Sequence, residues 1–221
     1  MTFQFKIQIQ NITKPPVWRR VVVPSETTFS MLHTIIQEAF GWYDAHMYSF
    51  SPTGYGSIPW IEEEDYDEEE NDDEEDIDDD FDKILAFALS ITNSSNEQKS
   101  SPKLKLSNIF KKKGQTFTYI YDFGDDWIHK ITLEEIDKYN ISSQPKLIAG
   151  KGACPPEDCG GSWGYEHLKE VAADKNHPEY QELKEWLHPG DEDDLFGEDE
   201  AIWDPSEYDL EIEKEMFDDM F

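Results

Sequence analysis

Between Thr116 and Ile136 the chain alternates so regularly that few folds can accommodate it. Phe117, Tyr119, Tyr121 and Phe123 occupy every second position, and after Gly124-Asp125-Asp126 the pattern resumes with Trp127, His129, Ile131 and Leu133. A period of two belongs to strands, so this stretch reads as two strands joined by a tight turn. Pairing Phe123 opposite Trp127 sets Tyr121 against His129 and Tyr119 against Ile131, and gathers all eight side chains on one face. A slip of one residue would send half of them into water. The other face, with Thr118, Ile120, Asp122, Lys130, Thr132 and Glu134, reads as solvated.

The rest of the chain supplies partners for this hairpin. Phe3, Phe5, Ile7 and Ile9 alternate with polar residues, and after Pro15-Pro16 the run Val17 to Val23 is extended, which predicts a second hairpin. From Thr28 the period changes: Phe29, Leu32, Ile36, Ala39 and Phe40 share one helical face, Thr27 or Thr28 can cap it, and Gly41 can end it. His46 to Phe50 reads as a further strand. Two short helices follow late in the chain, one carrying Tyr165, Leu168, Val171 and Ala172, the next Tyr180, Leu183, Trp186 and Leu187. The sum is an α+β domain: a mixed β-sheet of about five strands packed on the 28–40 helix, β-grasp-like, with two additional C-terminal helices.

Composition matters because the formal charge of −31 is not spread evenly. Seventeen of the 21 residues from 62 to 82 are acids, and residues 191–221 hold 15 acids against the single base Lys214. The remaining 169 residues balance 18 acids with 18 bases. The chain therefore divides into a single domain formed by 1–61 and 103–190, an acidic low-complexity insertion at 62–102 within which 81–91 could form a short helix, and an acidic tail at 191–221. Ile202, Trp203, Tyr208, Leu210 and Ile212 are apolar anchors by which part of the tail docks. Clustered bases are few, so direct nucleic-acid binding is disfavoured, and the acidic runs suit simple solvation first, and otherwise a basic protein partner or a loosely held divalent ion. Nothing at the amino terminus resembles a signal peptide, and no apolar run is long enough to span a bilayer, which makes the expected location the cytoplasm.

Several segments together resemble one family. Tyr119-Ile-Tyr-Asp-Phe-Gly-Asp-Asp-Trp-Ile-His129, the loop Cys154-Pro-Pro-Glu-Asp158 with Gly160-Gly161 and Gly164-Tyr165, Pro16-Val-Trp-Arg19-Arg20, Leu32-His33, Gly41-Trp42 and Trp203-Asp-Pro205 are similar to the plasmid pRiA4b ORF-3-like family. The resemblance spans the chain outside the insertion. It implies little about activity, since members are mostly uncharacterised and some carry a TnpR or resolvase label associated with mobile elements. A serine recombinase needs several guanidiniums around the scissile phosphate, and this chain has only Arg19 and Arg20, which as neighbours on a strand point to opposite faces.

The residues that could carry chemistry are His129, Asp122, Asp125, Trp127, Cys154, Glu157 and Asp158. His129 falls on the apolar face, where it is either a core histidine with one polar partner or one half of an acid/base or ligand set completed by Asp122, Asp125 or Glu157. Cys154, Cys159 and His129 are weak metal-ligand candidates, since the four residues between the thiols make a loose zinc loop. No cofactor is predicted beyond a possible divalent metal. Three functions stand in order: a non-enzymatic protein-interaction or adaptor module, a metal-dependent or acid/base enzyme using His129 and the Cys154–Asp158 loop, and an accessory protein of DNA transactions.

Overall fold

A computed structural model describes residues 1–62, 99–140, 142–188 and 202–221. Its strands are β1 (Thr2–Ile9), β2 (Trp18–Pro24), β3 (Tyr48–Ser51), β4 (Trp60–Glu62), β5 (Lys99–Ser100), β6 (Thr116–Tyr121), β7 (Trp127–Asp137) and β8 (Lys146–Lys151). Its helices are α1 (Phe29–Phe40), α2 (Leu106–Ile109), α3 (Gly161–Ala173), α4 (Tyr180–Leu187) and α5 (Leu210–Met220). All eight strands join one sheet in the order β5-β4-β3-β6-β7-β1-β2-β8.

This overturns the expected five-strand, β-grasp-like sheet on one main helix. Seven strands pair antiparallel, and only the two-residue β5 joins in parallel, on β4. The extra strands were hidden by composition. β8 lies in a stretch with Pro145 and Gly150 that reads as loop, yet it satisfies the free edge of β2 from Trp18↔Lys151 to Val22↔Lys146. β5 falls inside the segment read as insertion, where no periodicity can show over two residues. Most of that insertion, including the possible helix at 81–91, and the tail up to residue 201 lie outside the described residues.

The aromatic hairpin forms, but its register differs from expectation by two residues. Tyr121 faces Trp127, Tyr119 faces His129 and Phe117 faces Ile131. The turn takes five residues, 122–126, because Asp122 (φ +55°) and Asp126 (φ +54°) both adopt the left-handed conformation that Asp tolerates, and Asp122 Oδ1 accepts the Gly124 N–H at 2.8 Å. A shift of two keeps parity, so seven of the eight side chains remain buried on one face. Phe123 is displaced into the turn and lies near Tyr55 and Trp60. The opposite face is less solvated than expected, since Ile120 and Asp122 are buried.

The core lies between this face and α1. Thr28 Oγ1 accepts the Met31 N–H to start the helix, and Gly41 (φ +77°) ends it by donating to the Gln37 carbonyl at 2.8 Å. Phe29, Leu32, Ile35, Ile36 and Phe40 are buried against Phe5, Phe50, Phe110, Phe117 and Tyr119. Each ring or branched side chain so buried contributes roughly 1.5–3 kcal/mol. Among the described residues no helix is long and apolar enough to cross a membrane.

Candidate metal centre

Three loops meet at one end of the hairpin: the α1–β3 connection at 41–47, the β6–β7 turn, and the segment 152–160 after β8. The first is short and held at almost every residue. Trp42 Nε1 donates to the Pro155 carbonyl at 2.9 Å, and Tyr43 N–H to Glu157 Oε1 at 2.8 Å. Asp44 N–H donates to Gln37 Oε1 at 3.0 Å, and Ala45 N–H to the Tyr121 hydroxyl at 3.0 Å. The Asp44 carboxylate also meets His33 Nε2 at 2.5 Å, while His33 Nδ1 and Gln37 Nε2 both reach the buried Tyr119 hydroxyl, at 2.8 and 2.9 Å. Burial lowers the His33 pKa against the opposing pull of Asp44.

The third loop is pinned as firmly although it looks like linker in sequence. Gly160 N–H donates to Asp125 Oδ2 at 3.1 Å. Gly161 adopts φ +65°, and a Cβ there would stand 2.4 Å from the Asp125 carbonyl oxygen, so only glycine permits this approach. Arg19, fully buried, donates from Nε to the Ala39 carbonyl at 2.8 Å and from Nη1 to the Trp18, Lys151 and Gly152 carbonyls at 3.1–3.2 Å. It thereby ties the start of the loop to the last turn of α1, where carbonyl dipoles favour a cation.

These constraints bring His46, Asp122, Glu157 and Asp158 together. His46 Nε2 lies 3.2 Å from Asp158 Oδ1, 3.4 Å from Glu157 Oε2 and 3.8 Å from Asp122 Oδ2. One ligand atom each from His46, Asp122 and Asp158 falls within 4.8 Å of the others. The Nε2 atom is buried, yet it makes no hydrogen bond. Glu157 is oriented from behind: the Tyr121 hydroxyl donates to Oε1 at 3.0 Å. Burial first, and the Glu157 charge second, raise the Tyr121 pKa far above the usual phenol range and keep that donor protonated. Asp158 (φ +58°) is the open side of the cluster, with its side chain 72 % exposed.

Of the residues singled out in sequence, the structure unites Asp122, Glu157 and Asp158 and separates His129 from them. His129 is buried against Phe40, Trp42 and Tyr119, and its Nδ1–H donates to the Trp127 carbonyl at 2.8 Å. Burial pushes its pKa down to about 3, so it is a neutral core side chain. Trp127 is core beside Trp42. Asp125 anchors the Gly160 N–H. Burial raises the Cys159 thiol to about 12 and Cys154 beyond that, so neither offers a thiolate. Glu157 takes its donors from the Tyr43 N–H and the Tyr121 hydroxyl. His46 was missed: it reads as the first residue of a strand, and no local pattern separates a ligand from a strand end.

The mainly antiparallel sheet thus brings its loops together around one imidazole and three carboxylates. The chain belongs to the plasmid pRiA4b ORF-3-like family, whose sequence model matches residues 1–212. It is 33 % identical over 192 residues to the uncharacterised protein y4hQ of Sinorhizobium fredii (strain NBRC 101917 / NGR234), covering 86 % of this chain and 82 % of that one. It also resembles the crystal structure of a protein of unknown function, MM3350 from Methanosarcina mazei Go1, with a TM-score of 0.66, 32 % identity and 96 % of each chain covered.

Proposed function

We propose that the chain binds one divalent cation through His46, Asp122 and Asp158, with Glu157 beside it as a fourth ligand or as the acceptor of a proton from bound water. The observation that carries this is the buried His46 Nε2, which faces three carboxylates at 3.2–3.8 Å without a hydrogen bond. Donors around a tetrahedral ion with bonds of about 2.1 Å stand roughly 3.4 Å apart, which matches these separations. One nitrogen with several carboxylate oxygens, and no thiolate, suits Zn²⁺ or Mn²⁺ over Ca²⁺ or Mg²⁺. A cation held this way supplies Lewis acidity and a more acidic bound water, the chemistry of metal-assisted hydrolysis.

Recombinase chemistry finds no support: Arg19 is buried among carbonyls, and Arg20 pairs with Glu134 at 2.6 Å. The interaction-module reading is favoured by a separate feature, on α5, described below. Titration calorimetry on chelator-stripped protein tests the metal reading. One Zn²⁺ or Mn²⁺ per chain should bind, and His46→Ala or Asp122→Asn should weaken it at least tenfold while leaving the fold intact. Unchanged binding in both variants would place the ion elsewhere.

A further inference from the structure

The last helix is two-faced in a way that packing alone does not require. Phe217 is buried, its ring 4.9 Å from that of Phe221, and Leu210 packs against the same core. Asp209 caps the start by accepting the Glu211 and Ile212 N–H groups, and Gln144 Nε2 donates to the Phe221 carbonyl at 2.6 Å. That face is enough to hold α5 on the domain. On the outside, Ile212, Met216 and Met220 recur every four residues and so form one stripe, 57 %, 56 % and 56 % exposed. Exposed Glu211, Glu215, Asp218 and Asp219 flank it, and Lys214, the only base on the helix, is held by Glu211 at 3.0 Å. Met216 and Met220 also lie beyond the residues that match the family.

We infer that this stripe docks a short, basic, amphipathic segment of a partner protein. Two observations select that occupant. The stripe offers on the order of 300 Å² of apolar surface, well short of the roughly 800 Å² per partner of a standard globular interface, so the ligand is a segment and not a second folded face. The exposed charged residues of α5 beside the stripe are all acidic, so a second copy of this chain would bring like charge against like, whereas lysines or arginines flanking aliphatic anchors would be drawn to it. Methionine is unbranched and polarizable, and adapts to anchors of differing shape.

A fluorescein-labelled 14-residue peptide of leucine and lysine with one apolar helical face provides the probe, and a scrambled peptide of the same composition the control. The full chain should bind the patterned peptide at least tenfold more tightly than the scrambled one, and more weakly as salt rises. Ile212→Gln/Met216→Gln/Met220→Gln should abolish that preference, while Met216→Leu should keep it and circular dichroism should show the helix intact in both. A preference that is absent, or that survives the triple substitution, would overturn the proposal, because the acidic tracts alone would then explain binding. So would a dimer seen by light scattering that the triple variant dissolves, since the stripe would then serve a second copy.

Discussion

His129 and His46 show how one residue type is put to opposite uses by its surroundings. His129 has traded solvent for three aromatic rings and one carbonyl, and it stays neutral down to about pH 3. The consequence for stability has a definite sign. Above about pH 6.5 neither the folded nor the unfolded chain protonates this residue; below it the unfolded chain takes up a proton that the folded chain refuses until about pH 3. Stability contributed at neutral pH is therefore lost as pH falls through that window, by up to about 1.4 kcal/mol per unit. In urea unfolding at pH 7 and pH 5, His129→Leu should lose less stability than the native chain on acidification, because the group whose protonation the fold opposes is gone. Parallel losses would mean that His129 ionises in the fold. The sequence placed His129 on the buried face correctly because strand parity survives a two-residue error in register. It placed Asp122 on a solvated face because Asp122 was read as strand, whereas its left-handed backbone starts the turn and carries its carboxylate toward His46.

At the scale of elements, what was legible follows periodicity and what was not follows loops. The β1–β2 pair, α1 and the aromatic hairpin each repeat over several positions, and each is present. β4, β5 and β8 are too short or too rich in Gly and flanking Pro to repeat, and they owe their existence to open sheet edges. The cluster is harder still, because its members come from three loops separated by up to 112 residues, and only the contacts between loops bring them together. One of these contacts is at Gly161, where φ is +65° and a Cβ would collide with the Asp125 carbonyl. Gly161→Ala should therefore lower stability by several kcal/mol and weaken cation binding in the same protein, as the loop bearing Asp158 moves off the turn bearing Asp122. Gly114→Ala also has positive φ (+84°) but open space around it, so it should show the backbone cost without the loss of binding. Equal binding by the two variants would uncouple the loop contact from the site.

For the molecule as a whole, the described C-terminal segment acts as a strap across the β8 side of the sheet. Ile202 and Phe217 are buried, Trp203 meets the Tyr165 ring edge-on, and the Pro205 carbonyl accepts the Ala153 N–H at 3.0 Å. Tyr208 covers the Arg19 guanidinium at 4.2 Å from its ring centroid, completing the enclosure of the one buried arginine. Removing residues 202–221 would expose that guanidinium and the apolar surface beneath α5. A chain so shortened should melt at least 8 °C lower, on the expectation of about 4–8 °C per kcal/mol for a small domain and half that for a larger one. An unchanged melting temperature would show that the strap rests on the domain without stabilising it. Arg19 holds the Gly152 carbonyl and Pro205 the Ala153 N–H, so the strap reaches, at two adjacent residues, the loop that carries Glu157 and Asp158 to the His46 cluster. The most direct test of that cluster is an anomalous difference map from crystals grown with Zn²⁺. The account predicts one strong peak at about 2.0–2.2 Å from His46 Nε2 and from carboxylate oxygens of Asp122 and Asp158. A map without that peak, with His46 Nε2 instead hydrogen-bonded to one of the carboxylates, would contradict it.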